Sequence, residues 1–215
     1  MVAVKEEVEL SEKNKPKQDR AKRTYEAILN AAAELLVEVG VERISTNLVA
    51  QRAGVTVPAL YRYFPNKYAV LNALGAKVLD KQHVVFQQWF EQKRGQCNPQ
   101  LLLDDIYWLL KRTYDVTQEQ IGGLEVLHAL RAVAPLRDLR LTSHSLLSSQ
   151  FSTIAAESLG RIADDSLLTQ TRLTVDSGYA IVERAMEAQP VPAEDILREG
   201  TRMIHLYWQD ILCSD

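Results

Sequence analysis

Hydrophobic residues recur at every third or fourth position along most of the chain, the spacing that places side chains on one face of an α-helix. The first such stretch begins at Arg20 and ends at Gly40, because a glycine just after the last turn commonly stops a helix. Residues 1–18, which precede it, alternate Lys, Glu and small polar residues and predict a flexible charged tail. The basic half of that tail is a candidate arm: Lys13, Lys15 and Lys17. The apolar face of the first helix comprises Ala21, Tyr25, Ile28, Leu29, Ala32, Leu35, Leu36 and Val39.

Two short helices follow, and each starts with a hydroxyl residue that can cap it. Ser45 is expected to cap a second helix that runs to Ala53, and Gly54 is expected to end it. Thr56 is expected to cap a third helix. Pro58 lies in the first turn of that helix, where a missing N–H costs little.

The rest of the chain continues the helical pattern. Pro65 and Asn66 break the third helix, and Asn66 can cap a fourth, long helix from Lys67 to about Gln92. No strand-like alternation with hairpin dipeptides occurs, so the sequence predicts an all-α fold. Five further amphipathic stretches are separated by breaks at residues 95–99, 122–123, 135, 160–166 and 190–192.

The second and third helices together have the pattern of a helix-turn-helix. Such a motif needs a small residue where its helices cross, a turn that often contains glycine, and apolar positions that lock the helices together. A three-helix unit of this kind lays its last helix in the major groove of DNA. The matching positions are Val49, Ala50 and Ala53 on the second helix, Gly54 in the turn, and Val55, Leu60 and Tyr63 on the third.

Composition places the chain among globular proteins, with 47% hydrophobic and 25% charged residues over 215 positions and a formal net charge of −3. No apolar run approaches the ~18 residues of a membrane helix, and the N-terminus lacks the apolar core of ~7–15 residues of a signal peptide. The two cysteines, Cys97 and Cys213, lie far apart and are expected to be reduced. We therefore expect a soluble, cytoplasmic protein with no membrane partner.

Charge is distributed unevenly along the chain. Residues 13–75 carry ten Lys/Arg against five Asp/Glu, whereas residues 76–215 carry fourteen against nineteen. No carboxylate occurs between Arg43 and Leu79. Because DNA phosphates repel carboxylates and attract Lys and Arg, this window is typical of a nucleic-acid surface, although a short stretch can also lack carboxylates by chance. The cations in the window are Arg43, Arg52, Arg62, Lys67 and Lys77.

Residues 23–74 resemble the DNA-binding domain of the tetracycline-repressor (TetR) family, and the most specific part is the segment Leu60-Tyr-Arg-Tyr-Phe-Pro-Asn-Lys67. The match covers roughly the first third of the chain. The resemblance implies a homodimeric repressor whose C-terminal helices dimerise and enclose a pocket for a small inducer, and which binds a double-stranded DNA operator. After the flexible charged tail over 1–18, it implies a helix-turn-helix DNA-binding domain over 19–66 and a helical ligand-binding and dimerisation domain over 67–215.

The same resemblance assigns the residues that face DNA. Asn47 and Arg62 can reach base edges, whereas the apolar residues at 57–59 can give only contacts such as those with thymine methyl groups. Tyr61 is a candidate phosphate ligand or a packing residue, and Arg62 is a base reader or a solvated charge. The full set is Thr46, Asn47, Val57, Pro58, Ala59, Tyr61, Arg62 and Lys67, of which Thr46, Tyr61 and Lys67 are the candidate phosphate ligands.

The implied pocket would draw on aromatic residues in the middle of the chain. Large rings usually pack in the core, so only some of them are expected to line a ligand site. A mainly apolar pocket would suit a hydrophobic or amphipathic effector, whose identity the sequence leaves open. The candidates are Phe86, Trp89, Tyr107, Trp108, His128 and Phe151.

The last two predicted helices, near Leu167–Gln189 and Ala193–Leu212, carry apolar stripes and an internal glycine each, Gly178 and Gly200. Close approach of helices at a two-fold interface is one reason to keep glycine inside a helix, so we expect a dimer through a four-helix bundle. The alternative for these glycines is a local irregularity.

Other chemistry is weakly supported. Glu125 and His128 have the Glu-x-x-His spacing of di-iron sites, but only one copy occurs, and the four histidines and two cysteines show no close zinc-ligand spacing. We expect no metal, no cofactor and no enzyme activity. The alternatives to a ligand-released repressor are a ligand-independent regulator or activator and, in another class, an all-α small-molecule-binding protein or enzyme.

Overall fold

The computed structural model describes residues 8–14, 16, 18–95, 100–160, 162–187 and 190–213, and all its regular structure in these ranges is helical. The predicted all-α fold is therefore confirmed. Cys97 lies outside the described residues. A 3₁₀ turn at Ala134–Leu136 precedes the eighth helix. The helices are α1 (Asp19–Arg43), α2 (Thr46–Arg52), α3 (Val57–Tyr61), α4 (Lys67–Lys93), α5 (Gln100–Asp104), α6 (Ile106–Gln118), α7 (Gly123–Ala132), α8 (Arg137–Ser158), α9 (Asp165–Met186) and α10 (Ala193–Cys213).

The three predicted N-cap residues form capping hydrogen bonds at the starts of α2, α3 and α4. The Ser45 hydroxyl accepts from the Leu48 amide at 3.3 Å, and the Thr56 hydroxyl accepts from the Ala59 amide at 3.3 Å. Asn66 Oδ1 accepts from the Ala69 amide at 2.9 Å. Each side chain thus satisfies one of the amides that the first turn of a helix leaves without a backbone partner.

Glycines with positive φ mark the turns of the helix-turn-helix region. Gly54, between α2 and α3, has a φ of 65°, a conformation that other residues adopt only with strain. Gly40 has a φ of 73° and kinks α1, which resumes for one more turn to Arg43 instead of stopping at the glycine. The predicted stretch after residue 99 is likewise divided, because the backbone leaves the helix at Asp105, between α5 and α6.

The chain forms two compact units. The first contains the described residues up to Val78 together with Gln120–Arg140, and the second contains Leu79–Glu119 together with the described residues from Leu141 onward. The first compact unit is larger than the predicted DNA-binding domain, because it also includes the start of α4 and all of α7. Buried side chains on these two segments explain why, namely Val70, Leu71 and Leu74 on α4 and Val126, Leu127 and Leu130 on α7. The domain boundary at residue 66 stays a prediction.

The first unit has a core in which α1 is central. Ile28 and Leu36 on α1 are at most 2% exposed, as are Val49 on α2 and Leu60 on α3. The backbone approaches closely at Gly122, where an added Cβ would lie 2.9 Å from the carbonyl oxygen of Ala33. The core therefore joins α1 to α2 and to the start of α7, and α2 in turn contacts α3.

The N-terminal segment is partly bound to the first unit and does not form a wholly solvated tail. The Lys13 amide donates to the Tyr63 carbonyl, and the Asn14 side chain donates to the Arg62 carbonyl, both at 2.9 Å. Tyr25 donates its hydroxyl hydrogen to Glu12, also at 2.9 Å. Residues 9–14 therefore use hydrogen bonds that a charge pattern does not reveal. Lys15 and Lys17 of the candidate arm lie outside the described residues.

The second unit packs the later helices around aromatic side chains. Trp89 contacts Phe86 and Phe151, with ring centroids 5.5 and 5.6 Å apart, and Phe151 contacts Trp208 at 5.2 Å. Trp89 and Trp208 are at most 2% exposed. The apolar stripe predicted on the last helix thus serves largely this core, through Leu197, Ile204 and Trp208.

The two helical glycines differ in their surroundings. A Cβ at Gly200 would lie 2.5 Å from Ile181 of α9, so the close approach here is between two helices of the same chain. A Cβ at Gly178 would meet only Leu110, at an ordinary 3.5 Å. The position of Gly200 is therefore explained without a second subunit.

These surroundings predict opposite effects of alanine. Gly200→Ala should lower the thermal unfolding midpoint, because Ile181 must move, whereas Gly178→Ala should raise stability by up to about 1 kcal/mol through helix propensity. Calorimetry of the two single variants beside the unmodified chain measures both shifts. Equal shifts for both variants would contradict the intrachain contact.

No helix in the described part of the chain combines the length and apolarity needed to cross a bilayer.

Candidate nucleic-acid interface

The outer surface of α2 and α3 is formed by the residues that the helix-turn-helix pattern leaves outside the core. Asn47, Pro58 and Arg62 are exposed, and Tyr61 is 41% exposed. Thr46, Val57 and Ala59 are half-buried. The inward residues are the ones that the pattern predicts, since Val49, Ala50 and Leu60 are at most 1% exposed. Of the eight predicted DNA-facing residues, four are thus exposed on α2, α3 and the C-cap of α3, and three more on these helices are half-buried.

Thr46 and Tyr61 are joined across this surface. Their hydroxyl oxygens lie 3.1 Å apart, in hydrogen-bond contact. The pair links the first residue of α2 to the last residue of α3 and leaves both oxygens near solvent. Two adjacent hydroxyl groups of this kind can bond a phosphate oxygen.

Tyr63 lies on the opposite side and packs, as the sequence predicts. Its ring contacts Tyr25 edge-on, with centroids 6.0 Å apart, and it lies next to Phe64 at 6.4 Å. Tyr61 takes part in no described ring contact, and its hydroxyl bonds to Thr46. The packing alternative for Tyr61 therefore has little support in this geometry.

Lys67, the eighth predicted residue, is used within the unit. Its ammonium donates to the carbonyls of Ile44 at 3.2 Å and Val41 at 3.4 Å, just after the kink in α1. The side chain is half-buried and therefore not displayed like Arg62. An ammonium has three hydrogens, so one remains available for an anion at this corner.

The window without carboxylates in the sequence is not free of them in space. Arg52 pairs with Glu38 at 2.6 Å and with Glu34 at 3.2 Å, and Lys77 pairs with Glu26 at 2.5 Å. The hydrogen bond from Arg52 holds the pKa of Glu38 below its usual range. Because α1 supplies these carboxylates, two of the five cations in the window are neutralised locally.

Arg62 is the main cation left on the α2–α3 surface. Among the described residues it has no ion-pair partner. It follows Tyr61 directly and caps the C-terminus of α3. The surface therefore offers one displayed guanidinium, one displayed carboxamide at Asn47, and a hydroxyl pair, a set that can contact both bases and phosphates.

A second candidate site is an apolar cavity inside the second unit, with a volume of about 60 Å³. Three predicted pocket residues line it: Phe86, Trp89 and Phe151. Further lining comes from α4, α6, α8, α9 and α10. At this volume, the cavity has room for only a few water-sized molecules, so a drug-sized ligand would have to push lining side chains apart.

Three predicted pocket residues do not line this cavity. Tyr107 lies against α10, where the Arg198 guanidinium lies over the tyrosine ring, 5.2 Å from its centroid. The Tyr107 hydroxyl donates a hydrogen bond to Glu194, which raises the pKa of the tyrosine. Trp108 packs at the edge of the core. His128 is exposed on α7 and belongs to the first unit. On α6, the cavity instead receives Ile106, Leu109, Leu110 and Thr113, which lie on one face at helical spacing.

The pattern of aromatic residues in the sequence does not reveal the polar residues of the cavity. Gln82 is 1% exposed, and it lies on the apolar face of α4 that also carries Val78, Phe86 and Trp89. A glutamine in register with such a stripe is a signal that the sequence does contain. Thr113, Thr174 and Tyr179 come from other helices, and only the fold brings them to the same cavity.

The strongest sequence similarity to known proteins lies in the first unit. The sequence model of the family described as "Bacterial regulatory proteins, tetR family" matches residues 28–74. The class C tetracycline repressor protein of Escherichia coli is 47% identical over 58 residues, which are 27% of this chain and 26% of that protein. The class D protein of Escherichia coli is 38% identical over 63 residues, 29% of each chain. The chain thus matches about a quarter of the length of these curated relatives.

Solved structures extend the likeness to most of the chain. A TetR-family transcriptional regulator from Streptomyces coelicolor has 26% identity and a TM-score of 0.54, covering 87% of this chain and 99% of that one. A TetR-family regulator from Syntrophomonas wolfei has a TM-score of 0.68 at 13% identity, covering 89% of this chain and 95% of that one, and shows the shared fold. A SmeT–triclosan complex has a TM-score of 0.62 at 20% identity, covering 86% and 90%.

Proposed function

Because this chain belongs to the TetR family of DNA-binding transcriptional regulators, we propose that it is a homodimeric repressor released from a palindromic operator by a small, mainly apolar ligand. The observation that carries the proposal is the surface of α2 and α3, where Asn47 and Arg62 are displayed beside the Thr46–Tyr61 hydroxyl pair. A protein of this kind acts in the cytoplasm, where it meets its operator.

Arg62 and Asn47 are the proposed base readers. Arginine forms bidentate hydrogen bonds with guanine, and asparagine forms them with adenine. Val57, Pro58 and Ala59 add apolar contacts at the start of α3. Thr46, Tyr61 and the remaining hydrogen of the Lys67 ammonium would hold phosphates and fix the register of α3 in the groove.

The proposed dimer uses the outer faces of α9 and α10. These faces expose large apolar residues, with Leu173, Met203 and Leu206 each more than half exposed. A shallow depression between the two helices, lined by Ile181, Ile196 and Met203 among others, continues this surface. Exposed apolar patches of this kind commonly mark protein interfaces, and a two-fold pairing of two helices from each chain would give a four-helix bundle.

The proposed ligand site is the cavity around Trp89. A structural neighbour solved with triclosan supports an apolar ligand for this fold. Helix α4 begins at Lys67 in the first unit and ends at Lys93 in the second, and Gln82, Phe86 and Trp89 on it line the cavity. A ligand that displaces α4 can weaken operator binding only as far as it binds the displaced state more tightly.

The proposed roles of Arg62 and Lys67 predict different losses on mutation. Arg62→Ala should relax preference at one or two base pairs, each worth ~1–3 kcal/mol, and should hardly change binding to random DNA. Lys67→Ala should weaken binding to operator and random duplexes alike and reduce the salt slope by about one phosphate contact. Fluorescence anisotropy at several salt concentrations measures both quantities.

A conservative variant controls for the internal role of Lys67. Lys67→Arg keeps the charge and several donors, so it should retain most of the affinity if the phosphate contact matters. Thermal unfolding of each variant shows whether losing the bonds to Val41 and Ile44 unfolds the first unit.

An equal drop in specific and random binding for Arg62→Ala would refute the base-reading role of Arg62.

A further inference from the structure

Two buried residues that line the cavity each have a polar atom without a hydrogen-bond partner. Gln82 donates its amide hydrogen to Thr117 at 2.8 Å, but its carbonyl oxygen, Oε1, accepts no bond. Trp89 is 0% exposed, and its indole nitrogen, Nε1, has no acceptor. The other fully buried tryptophan, Trp208, donates to the Thr174 hydroxyl at 2.9 Å. Because an unpaired buried donor or acceptor is costly, the two open groups are expected to have partners in a bound state.

The rest of the lining carries no charge, and two of its three hydroxyl groups already donate hydrogen bonds within the protein. The Thr113 and Thr174 hydroxyls already donate to backbone carbonyls at 2.8 Å each. Burial raises the pKa of Tyr179, so its hydroxyl stays protonated. No Asp, Glu, Lys, Arg or His stands among the described residues that line the cavity. A charged ligand would therefore be desolvated without a counter-ion.

The two open groups lie on the same face of one helix. Gln82 and Trp89 are seven residues apart on α4, which is close to two turns and separates them by about 10 Å along the helix axis. Phe86 lies between them and also lines the cavity. The two polar positions thus flank an apolar middle.

We propose that the cavity binds an uncharged, elongated and mainly apolar molecule, which accepts a hydrogen bond from Trp89 Nε1 at one end and donates one to Gln82 Oε1 at the other. The inference rests on the proposed ligand-responsive function and specifies the chemical class of that ligand. The acceptor can be a ketone, ester or ether oxygen, and the donor can be a hydroxyl or amide hydrogen.

A set of matched probes tests the proposal with the full chain. The parent probe is 4-(4-hydroxyphenyl)butan-2-one, a neutral molecule with a hydroxyl at one end and a ketone at the other. Its analogues are 4-phenylbutan-2-one, which lacks the hydroxyl, 4-butylphenol, which lacks the ketone, and 3-(4-hydroxyphenyl)propanoate, which is an anion. Isothermal titration should show affinities about 5- to 10-fold weaker for the first two analogues and at least about 100-fold weaker for the anion.

Two variants connect each probe group to its residue. Trp89→Phe should weaken the parent probe relative to 4-butylphenol by about 5- to 10-fold, because only the parent can accept from the indole. Gln82→Leu should weaken the parent relative to 4-phenylbutan-2-one in the same way. Since each comparison is a ratio within one variant, changes in cavity shape largely cancel.

Trp208→Phe is the matched control. It removes an indole of equal size whose N–H is already bonded inside the protein, so it should lower stability but keep the wild-type ranking of the probes. Circular dichroism confirms that each variant is folded before titration.

Three results would overturn the proposal: no binding of any probe, binding of the propanoate as tight as that of the parent, or probe ratios unchanged by both Trp89→Phe and Gln82→Leu. The first or last is also the result expected if water alone fills the cavity. Operator binding, measured on the same preparations without probe, reports separately on the proposed regulatory function. Failure of the protein to bind operator would refute the regulatory function, whereas the probe ratios would still test the ligand class.

Discussion

Pro58→Glu should abolish specific DNA binding without harming the fold. Pro58 is exposed in the first turn of α3, so the substitution removes no core contact. A carboxylate near a helix N-terminus is favourable by about 0.3–1 kcal/mol, and stability should therefore hold or rise slightly. In the groove, the same carboxylate would face phosphates. Such like-charge contacts cost several kcal/mol, so affinity should fall on the order of 100-fold or more.

The uncharged isostere Pro58→Gln separates charge from shape. It loses the apolar contact and the stiff ring but adds no charge, so its affinity should stay within about tenfold of the unmodified chain. Anisotropy titrations on the same duplex compare the three proteins. If Gln and Glu reduce affinity equally, phosphate repulsion is not the cause. If neither changes affinity, the first turn of α3 does not face DNA.

Leu60→Ala should destabilise the first unit by about 2–5 kcal/mol, the range for removing a fully buried leucine. Leu60 is 0% exposed and fastens α3 to the unit, so its truncation leaves a cavity under the recognition surface. Leu48→Ala is the matched control, since Leu48 is 39% exposed on α2 and should change stability by less than about 0.5 kcal/mol. Denaturant unfolding gives both values, and similar losses for the two leucines would refute the assigned core of the helix-turn-helix.

The helix-turn-helix could be predicted in detail because its signals are local. Ser45, Thr56 and Asn66 cap their helices through contacts within three residues, and Gly54 adopts its turn conformation in a single residue. The inward positions follow from helical spacing alone. Four of the eight predicted DNA-facing residues are consequently exposed on α2, α3 and the C-cap of α3, while the contacts of all eight with DNA stay predictions.

The ion pairs of the basic residues and the lining of the cavity were predicted less well, because both depend on contacts between residues distant in sequence. Arg52 and Lys77 lie in a stretch without carboxylates, yet α1 supplies partners from 14 and 51 positions away. Tyr107 and His128 have the right chemistry for a pocket, but the first lies against Glu194 and the second belongs to the other unit. Helical periodicity shows that a residue is on an apolar face, not which cavity that face meets.

Footprinting of the purified protein on fragments selected from its source genome shows directly whether it is a dimeric, sequence-specific regulator. We expect two protected half-sites with two-fold symmetry, centred one DNA turn (~34–36 Å) or a multiple of it apart. The protection should survive excess random DNA and vanish for Pro58→Glu. A footprint that lacks two-fold symmetry, or binding that random DNA abolishes at equal concentration, would contradict a dimeric, sequence-specific regulator.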